Sequence, residues 1–396
     1  MLVTETITLE HRFVPGRMFG GWGPHLGHLV RASRPDGSGT DLYWVDDLCS
    51  QQVPGDCDVL HNRRIGIFRR EPSGWRKLAT LPLPPGVQQN TATLADGDML
   101  RTYGIQVGAE PRVVECAYSL RTGRGSCTTL PVTIGPSANY VGAARSPTGA
   151  RLVHWTHVMD GGGGSFSYIV HSGNGWSGPR TGGIGGYNDC AYVHVAFEVG
   201  SSRLTLFGQV VSGTAPNWSY GTLVGQADLA TATPVQWANR LRSPEGDAII
   251  STNDLLIDDV TGDAHLLART ARGAAVYFVR PRPEQPGQPW SGPLFVEPAS
   301  FRARLLATPQ ELLLVYGPDA GGLQVRAMPR AALRPGQPVP WASLPPRPLP
   351  LPSGFGRVLG IYPVSTVYQS VPTPALELAV VGSARQNEVV FIGPRG

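Results

Sequence analysis

PSGWRKLATLP, residues 72–82, is the first of a series of related phrases along this chain. SGNGWSGP surrounds Trp176, TPVQWANRL carries Trp237, GQPWSGPLF carries Trp290 and PVPWASLPP carries Trp341. A degenerate copy, TGRGSCTTLP, sets Ser126 where the others have tryptophan. Positions 75, 126, 176, 237, 290 and 341 are separated by 51, 50, 61, 53 and 51 residues, a spacing at which periodicity means a propeller or a solenoid. One repeat is therefore one folding unit, and the tryptophan phrase is its last, outer strand.

The composition agrees. The 396 residues are 41% hydrophobic, enough for a large core, but 50 glycines and 37 prolines rule out long helices and favour turns. Short alternating runs such as ARLVHWTHV (150–158), GAAVYFVRP (273–281) and ELLLVYG (311–317) read as strands, and no stretch has a sustained 3.6-residue period. The fold class expected is all-β.

Between successive tryptophan phrases the pattern recurs as strand, hairpin, strand, variable loop, strand, tight turn and outer strand. The third unit reads NYVGAARS (139–146), a turn SPTGA, ARLVHWTH, the loop MDGGGGS, FSYIVHS (166–172) and GWSGPRT. Thr-Gly and Asp-Gly pairs supply the positive φ that such hairpins need. This grammar gives seven four-stranded antiparallel blades, over about 25–81, 89–132, 139–182, 188–242, 248–298, 300–347 and 355–396. The last has three strands of its own, and the N-terminal segment 2–10 supplies the fourth, which closes the ring and removes the open sheet edges. The whole chain, 1–396, is read as a single seven-bladed β-propeller domain, with the proline-rich stretch 334–354 as a rigid connection inside it.

The turns ahead of the outer strands, HSGNGWS and EPSGWR, resemble degenerate versions of the Asp-box of sialidase-like propellers, which sets Ser, Asp and Gly ahead of Thr-Trp. A full S-x-D-x-G-x-T-W does not occur, and the Phe-Arg-Ile-Pro arginine motif of sialidases is missing. The resemblance implies a propeller and a glycan-directed role, and it speaks to the fold more than to the chemistry.

Among five cysteines, Cys116 and Cys127 flank the turn LRTGRG on strands expected to pair, and Cys49 and Cys57 bracket CSQQVPGDC. Two disulfides would place the protein in an oxidising compartment, extracellular or periplasmic. The N-terminus alternates like a strand rather than a signal peptide, and no apolar run is long enough to span a membrane. A net charge of +4 carried by scattered arginines, with Lys77 the sole lysine, argues against a nucleic-acid surface.

In a propeller the connections that lead into the inner strands emerge at one mouth of the central channel, where a ligand is expected. That mouth receives His25, Asn139, Tyr140, Asn188, Asp189, Tyr192, Asp254, Arg302 and Trp218, a polar and aromatic set suited to a carbohydrate or another small polar ligand. Within GGYNDCAYVHV (185–195), alternation sets Tyr192 and His194 on one strand face, with Asp189 on the other. A tyrosine and a histidine on one face supply the proton donor and acceptor that β-elimination of an acidic polysaccharide requires. The competing reading packs both between blades and makes Cys190 a small buried apolar group.

Asp189 and Asp254 begin neighbouring inner strands and are candidates for a carboxylate pair roughly 5 to 10 Å apart, as glycoside hydrolysis needs. Residues three apart on a strand face opposite ways, so neither His25 with His28 nor His154 with His157 is read as a metal site, and no cofactor is expected. The loop GGGG (161–164) has no following helix and reads as a flexible loop, not a phosphate cradle. Two functions remain open. One is a polysaccharide lyase or glycoside hydrolase with a single central site built on His194, Tyr192 and Asp189. The other is a non-catalytic carbohydrate-binding or protein-interaction propeller.

Overall fold

A computed structural model describes residues 2–9, 27–48, 64–87, 91–158, 163–173, 175–214, 217–231, 235–241, 249–281, 290–297, 300–318, 320–364, 372–385 and 388–395. After an N-terminal strand, β1 (Leu2–Thr8), the first blade is β2 (Leu29–Ser33), β3 (Thr40–Leu48), β4 (Arg64–Glu71) and β5 (Gly74–Pro82). The second is β6 (Ala92–Asp96), β7 (Met99–Gln106), β8 (Arg112–Ser119) and β9 (Arg124–Thr133), and the third β10 (Ala138–Arg145), β11 (Arg151–His157), β12 (Ser165–His171) and β13 (Arg180–Gly183). The fourth comprises β14 (Asp189–Phe197), β15 (Arg203–Thr214), β16 (Asn217–Asp228) and β17 (Gln236–Arg240), and the fifth β18 (Ile249–Ile257), β19 (Ala264–Thr270), β20 (Ala275–Arg280) and β21 (Ser291–Glu297). The sixth has β22 (Ser300–Ala307), β23 (Glu311–Pro318), β24 (Gln324–Pro329) and β25 (Arg347–Pro348). The seventh has β26 (Val358–Pro363), β27 (Leu378–Gly382) and β28 (Glu388–Pro394), with β1 as its outer strand. The architecture is a seven-bladed β-propeller of antiparallel four-stranded sheets.

Closure rests on β1, which pairs with β28 from Leu2 opposite Pro394 to Thr8 opposite Glu388. Arg70 of the first blade then grips the seam. Its guanidinium donates to Glu5 at 2.6 Å and to the Pro394 carbonyl at 2.7 Å, and lies 4.5 Å over the Phe391 ring. Arg31 makes a second ion pair across the same seam with Glu377, whose carboxylate is almost fully buried.

The repeated tryptophans explain the period. Four of the five pack across the gap between their own blade and the one before: Trp75 meets Phe391 edge-on at 5.5 Å, Trp176 meets Tyr103 at 5.9 Å, Trp237 meets Phe166 at 5.6 Å and Trp341 meets Tyr277 at 6.0 Å. A flat sheet can bury its faces only against its neighbours, so each blade needs one large wedge at its outer margin, and edge-to-face aromatic contact supplies it. Gly225, opposite Trp237, leaves room for the ring, since a Cβ there would lie 2.7 Å from it.

The second blade, with Ser126 in place of the wedge, has Cys127 beside it, bonded to Cys116 on the paired strand. Among the described residues this is the disulfide, and Cys190 is a buried free thiol. Cys49 and Cys57 lie outside the described residues.

Two outer strands differ from expectation. GWSGPRT was expected to be wholly strand, but Trp176 makes only an isolated bridge to His171 and the strand begins at Arg180. In the sixth blade Trp341 sits in a short 3-10 turn, Trp341–Ser343, and the next strand is two residues long. Prolines cause both departures: Pro179, Pro340, Pro345 and Pro346 have no N–H to give to a ladder. None of the helical segments described is long and apolar enough to cross a membrane.

If the tryptophan is the wedge, Trp237→Ala will lower unfolding free energy by about 3 kcal/mol, whereas Ser126→Ala will change it by less than about 0.5 kcal/mol. Guanidinium denaturation of both variants checks this; equal losses would refute the wedge.

Candidate functional site

The inner strands β2, β6, β10, β14, β18, β22 and β26 line the channel, and five of them, β10, β14, β18, β22 and β26, carry a register shift near their start. Such bulges re-aim side chains that regular alternation would send into the sheet. In two of them the bulge holds a tyrosine in the left-handed region, Tyr140 with φ 49° and Tyr192 with φ 52°, and these are the only positive-φ residues other than glycine among those described. A bulky residue there is strained, so the surroundings must hold it. The Asn139 side chain accepts the Tyr140 N–H at 2.9 Å, and the Thr252 hydroxyl donates to the Tyr192 carbonyl at 3.1 Å.

The two bulges aim their rings at one another. Tyr140 and Tyr192 lie 5.0 Å apart, tilted by 59°, and their hydroxyls share a hydrogen bond. Asp189, on the strand that carries Tyr192, is close enough for its charge to act on both phenols, and Arg302 of the sixth blade acts on Tyr192 from across the channel. The structure thus brings together four of the residues singled out from sequence: Tyr140, Asp189, Tyr192 and Arg302.

Burial sets the electrostatics. It pushes the Asp189 carboxyl up to about 6, against the smaller opposing effects of the Cys190 N–H and the Thr156 hydroxyl. Asp189 Oδ1 is buried and has no hydrogen-bond partner among the described residues. Burial also raises both phenols, Tyr192 far above its usual range, so both stay protonated donors at neutral pH. Arg302, whose Nε donates to the Leu359 carbonyl at 2.8 Å, is lowered by burial first.

Other expected residues have different places. Asp254 is in the channel wall, not the mouth: its oxygens accept the backbone N–H groups of Leu255 at 2.9 Å and of Leu305, in the next blade, at 2.8 Å. Burial raises it too, to about 6, with Arg304 opposing. His194 is fully buried beside it, Nδ1 to Oδ1 3.7 Å. Alternation sets His194 on the face of Tyr192; the bulge between Ala191 and His194 breaks that alternation, leaving Tyr192 half-buried at the channel and His194 in the wall. Asn188 holds the strand entry by donating to the Gly213 carbonyl, 2.5 Å, and Asn139 serves its own bulge. His25 and the Trp218 side chain lie outside the described residues.

The histidine spacings are used locally. His28 Nδ1 lies 2.7 Å from the Val45 carbonyl, His157 accepts the Trp155 indole N–H at 3.0 Å, and His154 is buried against Phe166. Gly163 and Gly164, the described end of the glycine loop, are tied to the Tyr187 carbonyl at 3.2 and 2.9 Å.

Sequence reading missed Thr156, whose hydroxyl sits between the Asn139 carbonyl and Asp189, and Arg304 and Tyr362, which continue the polar wall. The i, i+2 spacing of Arg302 and Arg304 was a usable signal, because it puts two guanidiniums on one side of an inner strand.

No known protein family matches the sequence, and no curated protein matches it either. Solved structures do. A protein of unknown function from Dyadobacter fermentans is similar over 98% of this chain and 97% of its own, at 12% identity and a TM-score of 0.51. The BP39L lectin of Burkholderia pseudomallei is similar over 97% and 96%, at 14% identity and TM-score 0.48. The periplasmic gluconolactonase PpgL of Pseudomonas aeruginosa covers 82% of this chain and 89% of its own, at 13% identity and TM-score 0.48. What the first of these shares with the chain is the fold.

A buried carboxyl held at about 6 instead of 3.8 costs the folded state roughly 3 kcal/mol at neutral pH. The cost is absent below 3.8 and grows as pH rises to about 6, because the unfolded chain ionises first. Asp189→Asn will therefore raise the melting temperature at pH 7.5, with the gain vanishing near pH 3.5, whereas Asp254→Asn, which spoils two backbone acceptors, will lower it. Melts of both variants from pH 3.5 to 8 decide; a loss of stability in Asp189→Asn at pH 7.5 would contradict the assignment.

Proposed function

We propose that the channel mouth around Tyr140, Tyr192 and Asp189 is a single glycan site, and that it carries out β-elimination on an acidic polysaccharide. The reading rests on one observation: two strained tyrosines on adjacent inner strands converge beside a buried carboxylate, one oxygen of which has no hydrogen-bond partner among the described residues. Backbone strain held at equivalent places by neighbouring groups is a cost that packing alone does not require. An aromatic pair beside polar groups suits a sugar ring, whose faces are apolar and whose rim is hydroxylated.

The chemistry follows from which groups hold protons. Asp189, with its carboxyl near 6, is the base: it takes the proton α to the uronate carboxylate as the C4–O bond breaks and the C4=C5 double bond forms. Tyr192, kept protonated by burial, gives its proton to the departing oxygen. Arg302 faces the developing negative charge on the carboxylate. Hydrolysis by two carboxylates is the weaker reading, because Asp254 is committed to the wall. The sialidase-like turns of the outer strands agree with a glycan ligand. His194, fully buried beside Asp254, belongs to the wall and has no part in this scheme.

A second reading, non-catalytic carbohydrate binding, uses the same tyrosine pair as a stacking platform. The two separate on one experiment: acidic polysaccharides are incubated with the protein while absorbance of the unsaturated uronate is followed, and glycan binding is measured in parallel. Turnover reduced about 100-fold or more in Asp189→Asn and Tyr192→Phe, with binding kept, supports elimination. Binding that depends on Tyr140 and Tyr192 without any unsaturated product supports the second reading, and neither binding nor product removes both.

A further inference from the structure

Arginines wholly or partly buried recur at the margins between blades, and their partners obey a rule. Arg31 is paired with Glu377, Arg70 with Glu5, Arg151 with Glu115 at 3.1 Å, and Arg330 with Asp258 at 2.5 Å and with Asp259. Arg326 has no carboxylate but donates to three carbonyls, those of Trp341, Ala342 and Leu344. Each buried positive charge thus meets a carboxylate or a set of carbonyl dipoles, as the cost of burying an ion requires.

Arg280 breaks the rule. It is 3% exposed, at the end of β20 where the fifth blade faces the fourth. Its guanidinium donates to the Thr205 hydroxyl at 2.9 Å, lies 3.1 to 3.2 Å from the Gln226 amide oxygen once that amide is turned to face it, and stacks 5.0 Å from the Trp290 ring centre. All three partners are neutral. Glu198 is near enough to favour the charge, but it is itself 3.3 Å from Arg203 Nε, and burial is the larger effect on Arg280. Arg280 Nε is buried with no acceptor among the described residues, and so is Trp290 Nε1. Neither donor alone would mark a ligand, because Arg145 and Arg330 share that condition at Nε and Trp75, Trp237 and Trp341 share it at Nε1. The coincidence of a buried cation whose hydrogen-bond partners are all neutral with a second unmet donor on the side chain stacked against it occurs here.

We propose that the interface between the fourth and fifth blades binds a small monoanion, held by Arg280 Nε and Trp290 Nε1. Two N–H donors and one positive charge are the chemistry of chloride or of a single carboxylate, and a neutral sugar or a cation would leave the charge unmet. The site is separate from the channel mouth and independent of the glycan reading.

The test measures melting temperature at fixed ionic strength while the anion of a bulky organic sulfonate is replaced by chloride in one series and by acetate in another. The wild-type protein is expected to gain stability saturably with at least one of them; chloride alone indicates an inorganic ion, and acetate alone a carboxylate-bearing ligand. Arg280→Gln removes the anion dependence. Trp290→Phe, which keeps an aromatic face and loses the N–H, raises the half-saturating concentration about tenfold, and it serves should Arg280→Gln not fold. No saturable response in the wild type, or an unchanged response in both variants, overturns the proposal.

Discussion

The packing of one sheet face against the next governs this molecule. A four-stranded sheet has two faces, and in a ring both are buried by neighbours, so no blade is stable apart from the circle. The outer margins, where radial sheets diverge, are hardest to fill, and there the chain places its tryptophans against Phe391, Tyr103, Phe166 and Tyr277 of the preceding blades. Where the tryptophan is replaced by Ser126, a covalent link between Cys116 and Cys127 holds the outer strand instead. The seam where the ends meet receives two ion pairs, Arg70 with Glu5 and Arg31 with Glu377, beyond the strand pairing of β1 with β28.

The same geometry that fills the margins leaves the axis open, and there the inner strands do what the outer ones do not. Five of them shift register near their entry, and two accept a left-handed tyrosine. Aspartates with similar shifts in proton affinity lie in this region, yet their surroundings assign them different work. Asp254 has both oxygens on backbone N–H groups and joins two blades, whereas Asp189 keeps one oxygen unmet beside two protonated phenols. Burial raises both; hydrogen bonding tells them apart.

Blade number, strand order and ring closure were legible because they rest on local signals: a recurring tryptophan, Gly and Asp turns, and two-residue alternation. The tryptophan phrases misled only at Trp176 and Trp341, where prolines withheld ladder donors and displaced the strand. The mouth was partly legible. Tyr140, Asp189, Tyr192 and Arg302 were placed near strand entries by counting, and the structure gathers them. His194 and Asp254 were placed there by the same counting and belong to the wall: the one-residue bulge between Ala191 and His194 reverses the face of His194, and two backbone N–H groups claim the oxygens of Asp254.

An all-β ring of seven blades is written into the chain alone, because repeat spacing, turn chemistry and alternation act over a few residues and survive in any neighbourhood. Which polar groups meet, and which are committed to the backbone, was settled in three dimensions, because those outcomes depend on bulges and on neighbours far away along the chain. Arg280 illustrates the division: nothing near it in sequence distinguishes it from Arg70 or Arg330, and only the folded ring gives those two a hydrogen-bonded carboxylate and leaves Arg280 with neutral hydrogen-bond partners.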